Sequence, residues 1–455
     1  MAAILIGGLL GGAGARCAEL IEELKTPHND WSVFAGATYT DNATLTPNGP
    51  DDTIATAGLA VSLFQSVPRI RASLDGSLYY TDYLHHTYKS DVFGGVSGSA
   101  ALFIVPERFS WYLDDVYGQV TANALAPSTP GNRVNANTFA TGPDLSIPLG
   151  QTIELTAAGR YEETNFGHNQ YLLSNFDDHR LQGRLGLDGH PSQASTVGLE
   201  ADYSRVEYQA ASSAFYDQSD LYLEYIARLT RGGVELQAGA TRIKQFGAEE
   251  TSPLIRITAY RQILPSWSLN FGASREFGNA TDIFRAAADS GRVVGGTVVV
   301  APSGPPVGGG TTSDQNLTLS VLRRDELRLS LDFKRPRTQV TFATTYGRER
   351  AAEGPSDVDR DFSTVSFVAS RVLRPTMEAH LGGGYERRVP QGPTIPGDHT
   401  TTADAGLDAR MSSTLTMNLS YRHESRSTDL GGIPYRVNYV YLGLSYAPHG
   451  RALTQ

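Results

Sequence analysis

Cysteine is almost missing from this chain: Cys17 is the only one in 455 residues. That excludes a disulfide scaffold and a Cys-rich zinc module. No internal apolar run approaches the roughly 18 residues of a transmembrane helix, and mean hydropathy is only −0.26. Charged residues are sparse at 19%, with a formal net charge of −10. Scattered Arg and Lys on an acidic chain exclude nucleic acid as a partner, because phosphate binding needs a concentrated basic face. The low charge fraction and evenly spread aromatics exclude a disordered protein. Linkers are missing too, although a soluble chain of this length would divide into about three domains of ~150 residues. One membrane class passes every exclusion. A β-barrel crosses lipid on alternating residues, so its average composition looks soluble.

Met1 to Ala15 is an apolar, small-residue run ending in Ala13-Gly14-Ala15, which reads as a secretory signal without a basic n-region. A lipobox at Cys17 is disfavoured by Arg16, which stands where a small residue belongs. The expected organisation is a signal over 1–15, a periplasmic segment over 16–30, a barrel over 31–447 and a tail over 448–455.

From Trp31 onward the sequence alternates at period two in segments long enough for tilted, bilayer-crossing strands. Trp267-Ser-Leu269-Asn-Phe271 and Leu327-Arg-Leu329-Ser-Leu331 each put apolar groups on one face and polar groups on the other. Strand starts are expected near Trp31, Ile54, Arg69, Val92, Phe109, Asn135, Gln151, His179, Ser195, Ser219, Gly233, Ser252, Ser266, Glu326, Thr338, Arg360, Pro375, Thr400, Ser413 and Pro434. A soluble sandwich also alternates, so the connections decide. They are expected to alternate strictly between tight turns, such as Ser66-Val67-Pro68, and longer loops, such as Asn42 to Asp52. The sequence therefore predicts an all-β fold: a single transmembrane antiparallel up-and-down barrel of about twenty strands (about 18 to 22), with short periplasmic turns and longer extracellular loops.

The rims supply an independent sign. Trp31, Trp111 and Trp267 open odd-numbered strands, and Tyr39, Tyr83, Tyr161, Tyr208, Phe246, Phe277, Tyr346, Tyr385 and Tyr421 stand near the far ends. Rings with an apolar body and a polar tip settle at membrane interfaces, so these residues are expected to form girdles. Arginines follow several of the tyrosines. Arg348, Arg387, Arg388 and Arg426 are expected just outside the far girdle, in contact with lipopolysaccharide phosphate.

Four segments carry a resemblance: Tyr39-Thr-Asp-Asn-Ala-Thr-Leu-Thr-Pro47, Asp115-Val-Tyr-Gly-Gln119, Pro127-Ser-Thr-Pro-Gly-Asn132 and Thr141-Gly-Pro-Asp-Leu145. In order and spacing they resemble the outer-membrane proteins associated with PEP-CTERM and exopolysaccharide systems, within a β-barrel porin group. The resemblance covers roughly the first 210 residues and continues mainly as hairpin rhythm. It implies a barrel in the bacterial outer membrane linked to extracellular polysaccharide export or surface assembly, with periplasmic export components as partners. The closing strand departs from the usual assembly signal: Ala447-Pro448 and a polar tail follow Tyr446 where a terminal aromatic is expected.

No catalytic, cofactor-binding or metal-ligating constellation is read in the chain, and no enzyme is expected. Asp357-Val-Asp359-Arg-Asp361 has Phe362 where a calcium loop needs glycine, so it reads as an acidic loop. His85-His86 reads as an exposed pair. Parity places Asp75, Asp144, Glu154, Arg160, Arg184, Asp188, Glu200, Asp202, Glu224, Arg228, Arg256, Arg328, Asp332, Glu378, Asp404, Asp408 and Arg410 on the inward face. Charges there must be hydrated or paired. Tyr79, Tyr112, Tyr222 and Tyr260 share that parity and are a candidate glycan path alongside Glu224, Arg228, Arg256, Arg328, Asp332, Asp404 and Asp408. Asp114-Asp115 would need a bulge to bring both carboxylates inside. The longest connection, Asn279 to Asp325, is expected to fold over or into the pore as a lid. The function this predicts is a passive conduit or assembly component for exopolysaccharide; the rivals are a general diffusion porin and a structural barrel with a blocked lumen.

Overall fold

The computed structural model describes residues 27–448, apart from 123–125, 168–175, 210–214, 246, 280, 283, 286–320, 353–358, 392–396 and 430–431. The signal, Cys17, Phe246 and the glycine- and proline-rich stretch of the long connection lie outside the described residues.

Twenty strands run in chain order: β1 (His28–Thr40), β2 (Asp52–Val67), β3 (Ile70–Tyr83), β4 (Asp91–Val105), β5 (Phe109–Thr121), β6 (Arg133–Pro148), β7 (Ile153–Phe166), β8 (Asp178–Ser192), β9 (Ser195–Tyr208), β10 (Phe215–Leu229), β11 (Gly232–Gln245), β12 (Ala248–Leu264), β13 (Trp267–Gly278), β14 (Leu322–Arg335), β15 (Thr338–Ala351), β16 (Arg360–Arg374), β17 (Met377–Pro390), β18 (Asp398–Arg410), β19 (Leu415–Thr428) and β20 (Tyr435–Tyr446). Each pairs antiparallel with its chain neighbours, and β20 returns to β1, so no sheet edge is left around the ring. Strands of 12 to 17 residues exceed the roughly 9 to 11 that cross a bilayer, so they project beyond it.

One rim carries the short turns and the other the longer loops, as the sequence predicts, with one correction. Only Phe246 and Gly247 separate β11 from β12, which stands on the long-loop rim. Gly247 adopts φ +83°, a tight-turn conformation that glycine permits, and β12 begins four residues earlier than the expected Ser252.

Period two now acquires its physical meaning. Leu59, Leu102, Leu199, Leu223, Phe342 and Leu381 all face outward and are exposed. A water-soluble protein does not leave so large a continuous apolar surface, and lipid is the solvent that accepts it. Inward residues divide by height. Toward the long-loop rim every strand buries at least one inward side chain, from Thr38 on β1 to Val437 on β20. Toward the short-turn rim many inward groups stay accessible, including Asp75, Arg160, Ser268, Arg328 and Asp404. The barrel is filled in one half and wet in the other.

The seam is shorter than the other pairings. Val33–Thr40 of β1 pairs with Tyr439–Tyr446 of β20, whereas all of His28–Thr40 pairs with β2. The Tyr441 ring lies across it: a Cβ at Gly36 would come within 2.5 Å of that ring and 2.7 Å of the Leu442 carbonyl. Gly36→Val is therefore expected to displace Tyr441 and destabilise closure by about 1–3 kcal/mol, read as a lowered midpoint for loss of the fast-migrating folded band on heating; an unchanged midpoint would refute this account of the seam.

The expected bulge at Asp114-Asp115 is absent. Ser99 pairs with Asp114 and Gly98 with Asp115 without a register shift. Asp114 points inward and is buried, while Asp115 points outward and accepts a 3.1 Å hydrogen bond from Asn137.

Candidate functional site: a strap across the barrel

The chain leaving β13 does not continue outward. Asn279 and Asp282 cap each other reciprocally: Asn279 N–H donates to Asp282 Oδ2 (2.9 Å) and Asp282 N–H to Asn279 Oδ1 (3.0 Å). This compact turn is bolted to the far wall. Arg180 on β8 donates to Asp282 Oδ1 (2.6 Å), to Tyr216 on β10 (3.2 Å) and to Asn279 (3.3 Å). Thr281 donates to Asp178 at 2.6 Å. Arg285 then reaches Glu162 on β7 and lies 3.6 Å from Asp114 on β5. Between these anchors Phe284, fully buried, packs with Val116, Val120, Val134, Ala136 and Phe166 of β5, β6 and β7.

β13 and β5 are separated in the wall by β6 to β12. Asn279, Thr281, Asp282, Phe284 and Arg285 therefore mark a chord through the interior, a strap and not a surface loop. The returning end is also fixed: Val321 is buried among Val206, Tyr208, Tyr216, Ile243 and Phe277. The bolts are side chains on already rigid strands, which makes them precise. They are also enclosed, with Arg180 and Asp282 side chains 9% and 4% exposed, so losing one partner of that pair would cost about 3–5 kcal/mol. These residues open the connection expected to form a lid, and Gly291 to Thr311 lies outside the described residues.

Elsewhere on the inward face the charges are organised as pairs and chains. Arg160 holds Asp144 with two bonds (2.6 and 2.8 Å) and lies 4.9 Å above the Tyr112 ring. Arg184 bonds Asp202 (2.8 Å), which also accepts from Tyr222 (2.9 Å). Arg256 joins Glu276 (2.6 Å) to Gln237 (3.0 Å), and Gln237 donates to Glu224 (2.8 Å). Arg328 pairs with Glu326; Asp332 accepts from Asn270 (2.7 Å) and Thr341 (2.7 Å); Asp408 accepts from Asn418 (2.6 Å). Asp404 faces Gly382, and Arg228 is exposed at the mouth. Both signs alternate around this wall, so it favours hydrated, weakly charged material over one kind of ion.

The four tyrosines all face inward but form no continuous track. Tyr79 and Tyr222 are buried in the filled half, Tyr112 is covered by Arg160, and Tyr260 alone is exposed. Register reveals a grouping that parity could not: Asp188, Glu200 and Glu224, on β8, β9 and β10, bring carboxylate oxygens within 4.8 Å of one another, all buried. Space for them comes from small residues opposite, since a Cβ at Gly198 would stand 2.6 Å from Asp188 Oδ1 and one at Gly186 2.5 Å from Glu200 Oε1. Three carboxylates so placed are the donor type that a hard divalent cation takes.

At the rims, Trp31, Trp111, Tyr39, Tyr161, Tyr346, Tyr385 and Tyr421 face outward and are exposed; Trp267 packs against outward Phe333 at 4.9 Å between centroids. Tyr83, Tyr208 and Phe277 do not join the girdle but are buried inside, beside the strap and the loop bases. Arg348 and Arg387 project outward as expected. Arg388 and Arg426 do not: both are buried on the inward face, where Arg388 bonds Glu386 (2.8 Å) and Arg426 pairs with Asp398. Neither can touch lipopolysaccharide.

No family model and no curated protein matches this chain. Among solved structures, similar ones are the siderophore receptor PirA of Pseudomonas aeruginosa (14% identity, TM-score 0.44, 92% of this chain and 80% of that one); the FrpB iron transporter of Neisseria meningitidis (10%, 0.44, 94% and 82%); and OccK2 (OpdF) of P. aeruginosa (10%, 0.40, 93% and 98%). The closed antiparallel barrel of twenty strands is established by the strand pairing itself.

Proposed function

We propose that this protein is a gated conduit in the bacterial outer membrane, closed at rest by the strap and entered from the periplasm through the polar vestibule, and that its cargo is an exopolysaccharide. The observation that carries the gate is the chord of Asn279–Arg285, pinned by Arg180, Asp178, Glu162 and Asp114 across the filled half of the barrel. Short turns mark the periplasmic side of such barrels, so the wet half faces the periplasm. The glycan is supported by the resemblance of Tyr39–Pro47 and the three segments after it, and by accessible inward charges that are already paired, as Arg160 is with Asp144, which lets a hydrated polymer slide without strong adhesion.

The test is planar-bilayer recording of Arg285→Ala, with neutral bacterial exopolysaccharide added on the side of the short turns. A conduit for glycan gives an open pore whose current the polymer interrupts. An open pore indifferent to the polymer would retain the channel and remove the cargo, leaving a general diffusion porin.

A further inference from the structure

The outward face just beyond the apolar belt carries a row of arginines and carboxylates on β13 to β17. Most are committed to each other. Arg275 grips Asp325 with two bonds (2.5 and 3.1 Å), and Arg350 takes Asp361 at 2.5 Å. Asp325 and Asp361 are the cross-strand neighbours of Arg348, so both carboxylates beside it are already engaged. Among the described residues Arg348 has no ion-pair partner. Its Nε donates to the Tyr346 hydroxyl at 2.9 Å, and its guanidinium lies 5.6 Å over that ring. Arg387, exposed on β17, likewise makes no ion pair among the described residues; its cross-strand neighbours are Ser363 and His399. Ser363 is also the partner of Tyr346, so it stands between the two arginines.

We infer that Arg348, Ser363 and Arg387, floored by Tyr346 and Tyr385, form a docking surface for the phosphate headgroup of an outer-leaflet lipid. Two strand spacings, about 10 Å, separate β15 from β17, which lets both guanidinium groups face one headgroup. Arginine's planar fork suits phosphate oxygens. A lipid is chosen over free phosphate by what lies below. On the same strands Leu327, Leu329, Phe342, Val365, Phe367 and Leu381 are exposed and face outward, a surface continuous with the patch and ready for acyl chains. The site lies on the opposite face of the wall from the strap, so it stands independently of the conduit reading.

The test uses the full chain in phosphatidylcholine nanodiscs doped with bisphosphorylated lipid A, with retained lipid counted by native mass spectrometry. Wild type should retain lipid A over phosphatidylcholine. The R348Q/R387Q variant should lose that preference by roughly fivefold, since exposed charge contacts are individually modest. R205Q should leave it unchanged, because Arg205 already bonds Glu207 at 2.7 Å. Dephosphorylated lipid A should be retained no better than phosphatidylcholine, and excess inorganic phosphate should not displace lipid A. Heat-modifiable migration checks that each variant is folded. Retention by folded R348Q/R387Q equal to wild type overturns the site; equal retention of dephosphorylated lipid A, or displacement by inorganic phosphate, overturns the lipid headgroup as its occupant.

Discussion

Arg285→Ala should raise single-channel conductance severalfold over a near-silent wild type. Arg285 is the strap's far anchor, neutralising Glu162 and Asp114, whose side chains are 3% and 4% exposed. Removing it takes the guanidinium away from two buried carboxylates, a penalty of about 3–5 kcal/mol that falls on the strapped arrangement. A barrel of about twenty strands encloses a lumen wide enough for water once its filling withdraws. Arg285→Lys keeps the charge but not the fork that reaches both acids, so an intermediate conductance is expected. Adding Glu162→Gln and Asp114→Asn to Arg285→Ala removes the stranded charges without restoring the tether. Stability should recover while conductance stays high. Silence in a folded Arg285→Ala protein would sink the gate.

The second large effect separates two adjacent residues. Phe342 faces outward in the apolar belt and Ala343 faces the wet half of the lumen. Phe342→Arg should destabilise the barrel by about 2–4 kcal/mol, the usual cost of arginine on a lipid face near the midplane. Ala343→Arg should cost less than about 1 kcal/mol, since a long cation there reaches water and neighbouring carboxylates. Reversible refolding into lipid vesicles measures both. Equal costs would mean that the two faces have been misassigned.

Much of this architecture is legible in the sequence because its cause is local. All twenty strand starts fall within four residues of expectation, since period two and turn residues are short-range signals. The inward set from Asp75 to Arg410 is read correctly for the same reason. The arginines expected at lipopolysaccharide divide by that same period. Arg348 and Arg387 lie two residues after Tyr346 and Tyr385 and share their face; Arg388 lies three after Tyr385 and Arg426 five after Tyr421, odd intervals that turn them inside. Tyr83 and Tyr208 turn inside by the same rule, at even intervals from inward Tyr79 and Asp202, whereas Phe277 shares the parity of Trp267 and is covered by residues distant in the chain, Val321 among them. Arg180 meets Asp282, 102 residues away, and Arg285 meets Glu162, 123 away; no pattern in a single sequence encodes such contacts.

The seam between β1 and β20 also governs how the protein comes into being. Its partners are far apart in the chain, Asn438 bonding Asp41 at 2.6 Å across 397 residues. Loop-closure entropy grows only logarithmically, so this separation adds little to the equilibrium cost of the ring. It weighs on the kinetics, because the hairpins from β1–β2 to β19–β20 can form locally while the eight-residue zipper of Val33–Thr40 with Tyr439–Tyr446 must wait for both chain ends. Until then two strand edges stand open to any neighbouring chain. Biogenesis of this protein is therefore a race between the last strand finding the first and an edge finding another molecule.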